Sequence, residues 1–369
     1  MRSGVHDRSD PEHAARDAAG TQADAVGRFE RLPKWLNLIP MVVQWLWLGL
    51  RYRSVTLPSS ANPRITAGGL VGEGKLEYFG IMGPLARAAT AAHVGVPIGA
   101  STQSADVLAA MQGADLRFPV IVKPDLGWCG YGVRKICDQG ELDAYLGRFP
   151  RGQTLVVQRY LHEEGEAGLF YVRHRDEPAG RLIGVLLRHF PRVLGNGRDT
   201  VATLLAGDIR LRRTTGSDRH DCSYDPDHVP AAGERVRLST IASTRVGGRY
   251  EDATNAVTPA LTERVDAIAR DMEDFHVGRF DVRYATLDAL RRGEFTIMEV
   301  NGAGSEAVHA WDPKYGIAQV YRMVFAKQRL LFSIADANRR AGHRPVGMRA
   351  LARLYLHQQR LMDQYPPSN

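Results

Sequence analysis

Phe118-Pro119-Val120-Ile121-Val122-Lys123-Pro124, followed at once by Gly127-Trp128-Cys129-Gly130-Tyr131-Gly132-Val133, is the stretch on which the reading of this chain turns. A short apolar run predicts a strand that ends in a lysine, and a glycine-rich loop leaves it directly. Glycines let backbone N–H groups approach phosphate oxygens at dihedrals closed to other residues, and the lysine adds a mobile positive charge. Alone, the same pattern also describes a tight turn.

A second constellation lies far downstream, in Gly278-Arg279-Phe280-Asp281-Val282-Arg283 and in Phe295-Thr296-Ile297-Met298-Glu299-Val300-Asn301-Gly302. Both segments predict strands. Side chains alternate along a strand, so Arg279, Asp281 and Arg283 share one face, as do Glu299 and Asn301. Two carboxylates and a neutral oxygen donor from neighbouring strands form a hard oxygen site suited to magnesium on the phosphates of ATP. The plain alternative is a solvated edge or a buried Arg/Asp pair.

In order, these segments resemble the ATP-grasp superfamily, with its strand-lysine-proline, glycine-rich lid, adenine hinge and late Asp with Glu-x-Asn. The resemblance runs from Leu116 to Ser333 and is greatest to D-alanine:D-alanine ligases and to the ATP-grasp parts of cyanophycin and bifunctional glutathione synthetases. Arg188 to Leu204 and the Ser243-Thr244-Arg245-Val246-Gly247-Gly248 loop match two further segments of those enzymes. It implies an α+β fold in which two α+β subdomains clasp ATP, preceded by a short N-terminal unit. It also implies an ADP-forming ligase that joins a carboxylate to an amine through an acylphosphate, with ATP and one or two Mg2+ ions, or Mn2+, as cofactors.

Roles carry over by position. Lys123 meets the ATP phosphates, Gly127, Gly130 and Gly132 form the lid, Gln158 to Leu161 form the adenine hinge and Glu166 contacts the ribose. By this resemblance Asp281, Glu299 and Asn301 hold the metal, Arg279 faces the transferring phosphoryl group or the tetrahedral intermediate, and Arg188 meets the carboxylate substrate. One departure stands out: the family carries an earlier phosphate-binding lysine, whereas the window Met82 to His93 offers only Arg87, whose bidentate guanidinium can substitute. His309 and Trp311 either line the acceptor pocket or pack. Gly69-Leu70-Val71-Gly72-Glu73-Gly74-Lys75 has P-loop spacing, yet Leu76 stands where Ser or Thr should bind magnesium and no strand precedes it, so it reads as a substrate-side loop. Cys129 has no assigned His and acid partners and reads as a small lid residue, not a nucleophile.

The remaining sequence sets bounds. The 369 residues, 44% of them hydrophobic, suffice for two or three packed units. Forty-eight Lys and Arg against 41 Asp and Glu give a formal charge of +7, which suits phosphate- or carboxylate-bearing ligands. Three irregularly spaced cysteines provide neither a disulfide framework nor a zinc site, which fits a reducing cytoplasm. The arginines are dispersed and no nucleic-acid module is present. Residues 1–28 read as a polar mobile tail without a secretory signal. Trp35 to Leu50 is strongly apolar, with three tryptophans and basic flanks at Lys34, Arg51 and Arg53. It is short of the roughly 20 apolar residues of a membrane span, which puts a helix packed on the protein first, one in peripheral contact with a membrane surface second and a true span last.

Segment boundaries follow at 29–115 for an N-terminal unit, 116–205 for the lid subdomain, 206–335 for the metal-binding subdomain and 336–369 for a C-terminal helix. Helices are expected over Tyr78–His93, Gln139–Phe149, Pro259–Phe275, Ile317–Asn338 and Val346–Asp363. Strands are expected over Val120–Lys123, Leu155–Leu161, Gly168–Arg173, Leu182–Arg188, Gly278–Tyr284 and Phe295–Val300. Two other functions share the nucleotide site: a kinase acting on a small-molecule hydroxyl, and a non-catalytic ATP-binding scaffold at a membrane. The sequence does not set the oligomeric state.

Overall fold

A computed structural model describes residues 27, 29, 32–208, 210, 211 and 224–369. The tail expected over residues 1–28 lies outside the described residues, apart from Gly27. The chain enters through helix α1 (Lys34–Arg51), two short 3-10 turns, and helices α2 (Lys75–Gly80) and α3 (Pro84–Ala88). Strand β1 (His93–Ile98), α4 (Ser104–Gly113), β2 (Val120–Pro124), β3 (Arg134–Ile136), α5 (Gln139–Arg148) and β4 (Gln153–Arg159) follow. Then come β5 (Gly165–Val172), β6 (Arg181–His189), β7 (Arg192–Leu194), α6 (Val201–Gly207), β8 (Arg235–Arg237) and β9 (Arg249–Asp252). Helix α7 (Pro259–Arg270), β10 (Val277–Tyr284), α8 (Leu287–Arg291), β11 (Thr296–Asn301), α9 (Ile317–Arg340) and α10 (Met348–Met362) complete it.

Two antiparallel sheets carry the architecture, ordered β1-β4-β2-β3 and β11-β10-β5-β6-β9. The first packs α4 and α5 against Val120, Val122, Leu155 and Val157. The second is covered on one face by α7, whose Leu261, Val265 and Ile268 meet Leu169, Tyr171, Val185, Phe280 and Val282. On the opposite face Val172 and Val277 pack against Phe332 of α9 and Leu48 of α1. With one face of β5, β6 and β10 sealed by α7, period-2 alternation sends Glu166, Arg188, Arg279, Asp281 and Arg283 to the other face. The sheets cross the boundaries read from sequence: β1, from segment 29–115, joins the lid sheet, while β5 and β6, from segment 116–205, pair into the second sheet.

The single helix expected over Tyr78–His93 is a correction. Gly83 and Pro84 divide it, because proline occupies the first turn of α3 and cannot continue α2, and the chain then turns into β1. The remaining expected helices and strands form, with ends shifted by a few residues. Among the described residues no helix is long and apolar enough to cross a membrane.

Candidate active site

Strands β10 and β11 pair so that Arg279 lies opposite Asn301 and Asp281 opposite Glu299. Glu299 pairs with Asp281 but Ile297 with Val282, so Met298 is an extra residue bulged out of β11. Bulges re-aim local groups; this one lets the Met298 carbonyl accept from the Lys123 ammonium at 3.0 Å, while Gln158 Oε1 accepts from the same nitrogen at 2.8 Å. Lys123 therefore leaves the lid sheet and is fastened to the second sheet. Burial pushes its pKa down to about 8; Glu299 opposes the fall, Lys75 adds to it and Asp281 opposes it.

Asp281 is the centre of a buried ion network. Its carboxylate accepts from Arg279 at 2.6 and 3.0 Å, from Arg188 at 3.1 and 3.2 Å, and from the Asn301 amide at 3.1 Å. Burial alone would raise its pKa; the Arg188 and Arg279 guanidinia outweigh burial and hold the carboxyl below its ordinary range. Arg188 also reaches Glu166 at 3.1 Å, and Arg283 binds the other Glu166 oxygen at 3.3 Å. Glu166, expected at the ribose, is thus held between two arginines, and Arg188, expected at the carboxylate substrate, bridges Glu166 to Asp281. The Arg188 Nε and the Gln158 Nε2 are buried without a hydrogen-bond partner.

The sequence reading passed over Lys75. Its ammonium lies 3.5 Å from Glu299 Oε1 and donates to the Asp125 carbonyl at 3.3 Å. A Cβ on Gly127 would come within 3.1 Å of that ammonium, so the lid glycine closes directly over it. Lys75 is placed there by the P-loop-like stretch, which braces the turn after Asn301. Gly304 N–H donates to Gly69 O at 2.6 Å, and a Cβ on Gly302 would meet the Gly69 Cα at 2.8 Å. The close backbone approach explains glycine at both positions. Glu73, in the same stretch, is pushed up to about 7 by burial, with a backbone hydrogen bond and Lys75 opposing. Arg87 stands exposed on α3 and shares no hydrogen bond or ion pair with this cluster among the described residues.

Two positive-φ glycines shape the lid, Gly130 at +74° and Gly132 at +71°. The Ser243–Gly248 loop reaches it through Arg245, which donates to the carbonyls of Cys129 at 3.2 Å and Gly130 at 3.4 Å and lies over the Tyr131 ring at 4.6 Å. A segment from the far end of the sequence joins them: Arg245 donates to Ser368 Oγ at 2.7 Å, Lys135 N–H donates to Asn369 Oδ1 at 3.0 Å, and Tyr365 OH donates to Leu126 O at 2.7 Å. Leu161 is half-buried in the hinge between β4 and β5. His309 packs edge-on to Phe170, and burial holds its imidazole down to about 4; Trp311 stacks edge-on against Phe29.

Asp281, Glu299 and Asn301 thus converge as the alternation requires, with Lys75 and Lys123 beside them. The donors fit the expected magnesium in part: the Asp281 carboxylate is taken up by Arg279, Arg188 and the Asn301 amide, which leaves Glu299 and the Asn301 amide oxygen. Among the described residues no three His, Cys, Asp or Glu side chains gather to hold a metal by themselves, so an ion at this place relies on the Asn301 amide oxygen and on phosphate or water oxygens, as magnesium habitually does. Five cations (Lys75, Lys123, Arg188, Arg279 and Arg283) face three carboxylates (Glu166, Asp281 and Glu299), an excess that suits a polyphosphate. If Lys75 is the earlier phosphate lysine, Lys75→Met weakens ATP binding by about tenfold or more, the worth of a hydrogen bond to a charged group. Arg87→Met then leaves the titration unchanged, and the reverse ranking returns the role to Arg87.

No family model matches the chain. It is 26% identical over 223 residues to cyanophycin synthetase of Nostoc sp., a match covering 54% of this chain and 23% of that protein. The chain therefore spans about a quarter of the length of the curated relative. Among solved structures, the bifunctional glutathione synthetase of Pasteurella multocida aligns with 17% identity and a TM-score of 0.34, covering 72% of this chain and 38% of that one. The D-alanine–D-alanine ligase of Bacillus anthracis aligns with 14% identity and a TM-score of 0.37, covering 70% and 68%. By its ordered motifs and its match to cyanophycin synthetase, the chain resembles the ATP-grasp carboxylate-amine ligases, and its own fold is α+β, built on two antiparallel sheets.

Proposed function

We propose that the chain is an ATP-dependent ligase that joins a carboxylate to an amine through an acylphosphate. The observation that carries the reading is the meeting of Lys123 and Lys75 with Glu299, Asp281 and Asn301 beneath a glycine lid. A substrate carboxylate oxygen attacks the γ-phosphorus of ATP as the bond to the bridging β–γ oxygen breaks, so ADP departs with that electron pair. The amine nitrogen then attacks the acyl carbon, and phosphate leaves with the C–O electron pair. Lys75, Lys123 and Arg279 stabilise negative charge on the transferring group, and the lid keeps water from the acylphosphate. The incoming amine must shed protons, and Glu73, in the stretch that carries Lys75 and at about 7, is a carboxyl able to take one up near neutral pH. Magnesium, were it held by Glu299 and Asn301 with Asp281 beside them, would neutralise phosphate charge.

The reading is tested by incubating purified protein with Mg-ATP and a panel of amino acids, peptides and other carboxylates, each with and without amines. Release of both ADP and phosphate that requires an acid and an amine is the expected result. ADP without free phosphate makes the protein a kinase, and ATP binding without release across the panel makes it a scaffold.

A further inference from the structure

Helix α1 is glued to the protein along one face only. Gln44 donates to the Phe325 carbonyl at 2.8 Å, Trp45 packs edge-on to Phe332, Leu48 is buried, and Arg339 donates to the Tyr52 carbonyl at 2.8 Å, all against α9. The opposite face carries large apolar side chains left in solvent: Trp35 is 67% exposed, Val43 61%, Trp47 54% and Leu50 78%, with Ile39 and Val42 between them. These recur at helical spacing, so they form one continuous stripe rather than scattered residues. Burying such a stripe in water-free surroundings is strongly favourable.

The charge around the stripe indicates what covers it. From Arg31 to Gly72 the sequence holds five basic residues and no Asp or Glu, and α9 has none from Ile317 to Ala335. Exposed Arg51 and Arg53 close one end, and exposed Arg322 and Arg329 stand on the companion helix. An apolar face edged by cations, with an indole near each end, is the pattern of a helix lying in the interface of an anionic bilayer. A second copy of this chain is a poorer occupant, because a two-fold contact would join two faces edged by cations with no Asp or Glu from 31 to 72 or from 317 to 335 to offset them. Residues 1–26 are also poorly suited, with only Met1, Val5 and Val26 as sizeable apolar side chains. With its other face fixed to α9, the helix can lie on a bilayer but cannot thread through it.

We propose that the outer face of α1 docks the protein on an anionic phospholipid surface. The full chain is mixed with vesicles of phosphatidylglycerol and phosphatidylcholine, or of phosphatidylcholine alone, and sedimented. Binding to the anionic vesicles is expected, accompanied by a blue shift of tryptophan emission, and raised salt weakens it. Val43→Glu with Trp47→Glu should lower the partition coefficient by about tenfold or more, while ATP binding and the melting temperature are retained. Arg51→Gln with Arg53→Gln, which leaves the apolar face whole, should lower the preference for anionic over neutral vesicles. Failure of the wild-type protein to sediment, or equal sedimentation by the Val43/Trp47 variant, overturns the proposal. So does a dimer in light scattering that this variant dissolves while vesicle binding is absent.

Discussion

Replacing Lys123 by Met is expected to lower kcat/KM for ATP by about a hundredfold to a thousandfold, the typical loss when one preorganised donor to a developing charge is removed. The thioether roughly fills the volume of the lysine stem, so the packing of β2 against β4 should survive and circular dichroism should stay unchanged. Its ammonium ties the Gln158 side chain to the Met298 bulge. The same position predicts a pH dependence. Lys123 titrates near 8 in the free protein, so above that pH a phosphate must pull a proton back onto it. Between about pH 7 and about pH 9 the ATP dissociation constant should rise about tenfold, one pKa unit of cost, and calorimetry would show coupled proton uptake. Affinity flat over this range, or full turnover by the Met variant, removes Lys123 from the phosphates.

Asp281→Asn should cost about 3–5 kcal/mol of stability, the usual consequence of deleting one partner from a buried ion cluster. Arg188 and Arg279 both point their donors into this carboxylate, and neither has solvent to turn to. Glu299→Gln makes the contrast. Its side chain is 31% exposed, and its partner Lys75, 3.5 Å away and buried, also donates to the Asp125 carbonyl, so the expected stability change is smaller, about 1–2 kcal/mol, although turnover is lost. Urea melts of the two variants separate the roles: a shared denaturation midpoint would mean that the arginine clamp on Asp281 contributes nothing to the fold.

Much of this site was legible from alternation alone. Arg279, Asp281, Glu299 and Asn301 fall on one face because strands have period 2, and the structure pairs Asp281 with Glu299 across neighbouring strands. What strand periodicity does not carry is the company each residue keeps. Lys75 was set aside with the P-loop-like stretch, because it lies outside any strand and is brought in through glycine contacts between two distant loops, Gly69 and Gly302. The guanidinium partners of Glu166 depend on register between β5, β6 and β10, which no local pattern encodes. Strands β3, β7 and β8 are three residues long, too short for a periodic signal, and the Gly83-Pro84 break was a visible marker that the helical spacing around it concealed. The Met298 bulge leaves no mark in the sequence, since any residue can occupy it.

The tie between residues 365–369 and the lid bears on how the protein is made. Lys135, Leu126 and Arg245 all receive their partners from a segment more than a hundred residues further along the chain. A ribosome delivers these parts in sequence, domains fold as they emerge, and contacts of long sequence separation close late. The glycine-rich loop must therefore wait, partly unanchored, until the segment 365–369 has left the exit tunnel. The candidate site then becomes complete only when this segment arrives, and a translation product cut short before it would carry both sheets yet hold the glycine-rich loop poorly.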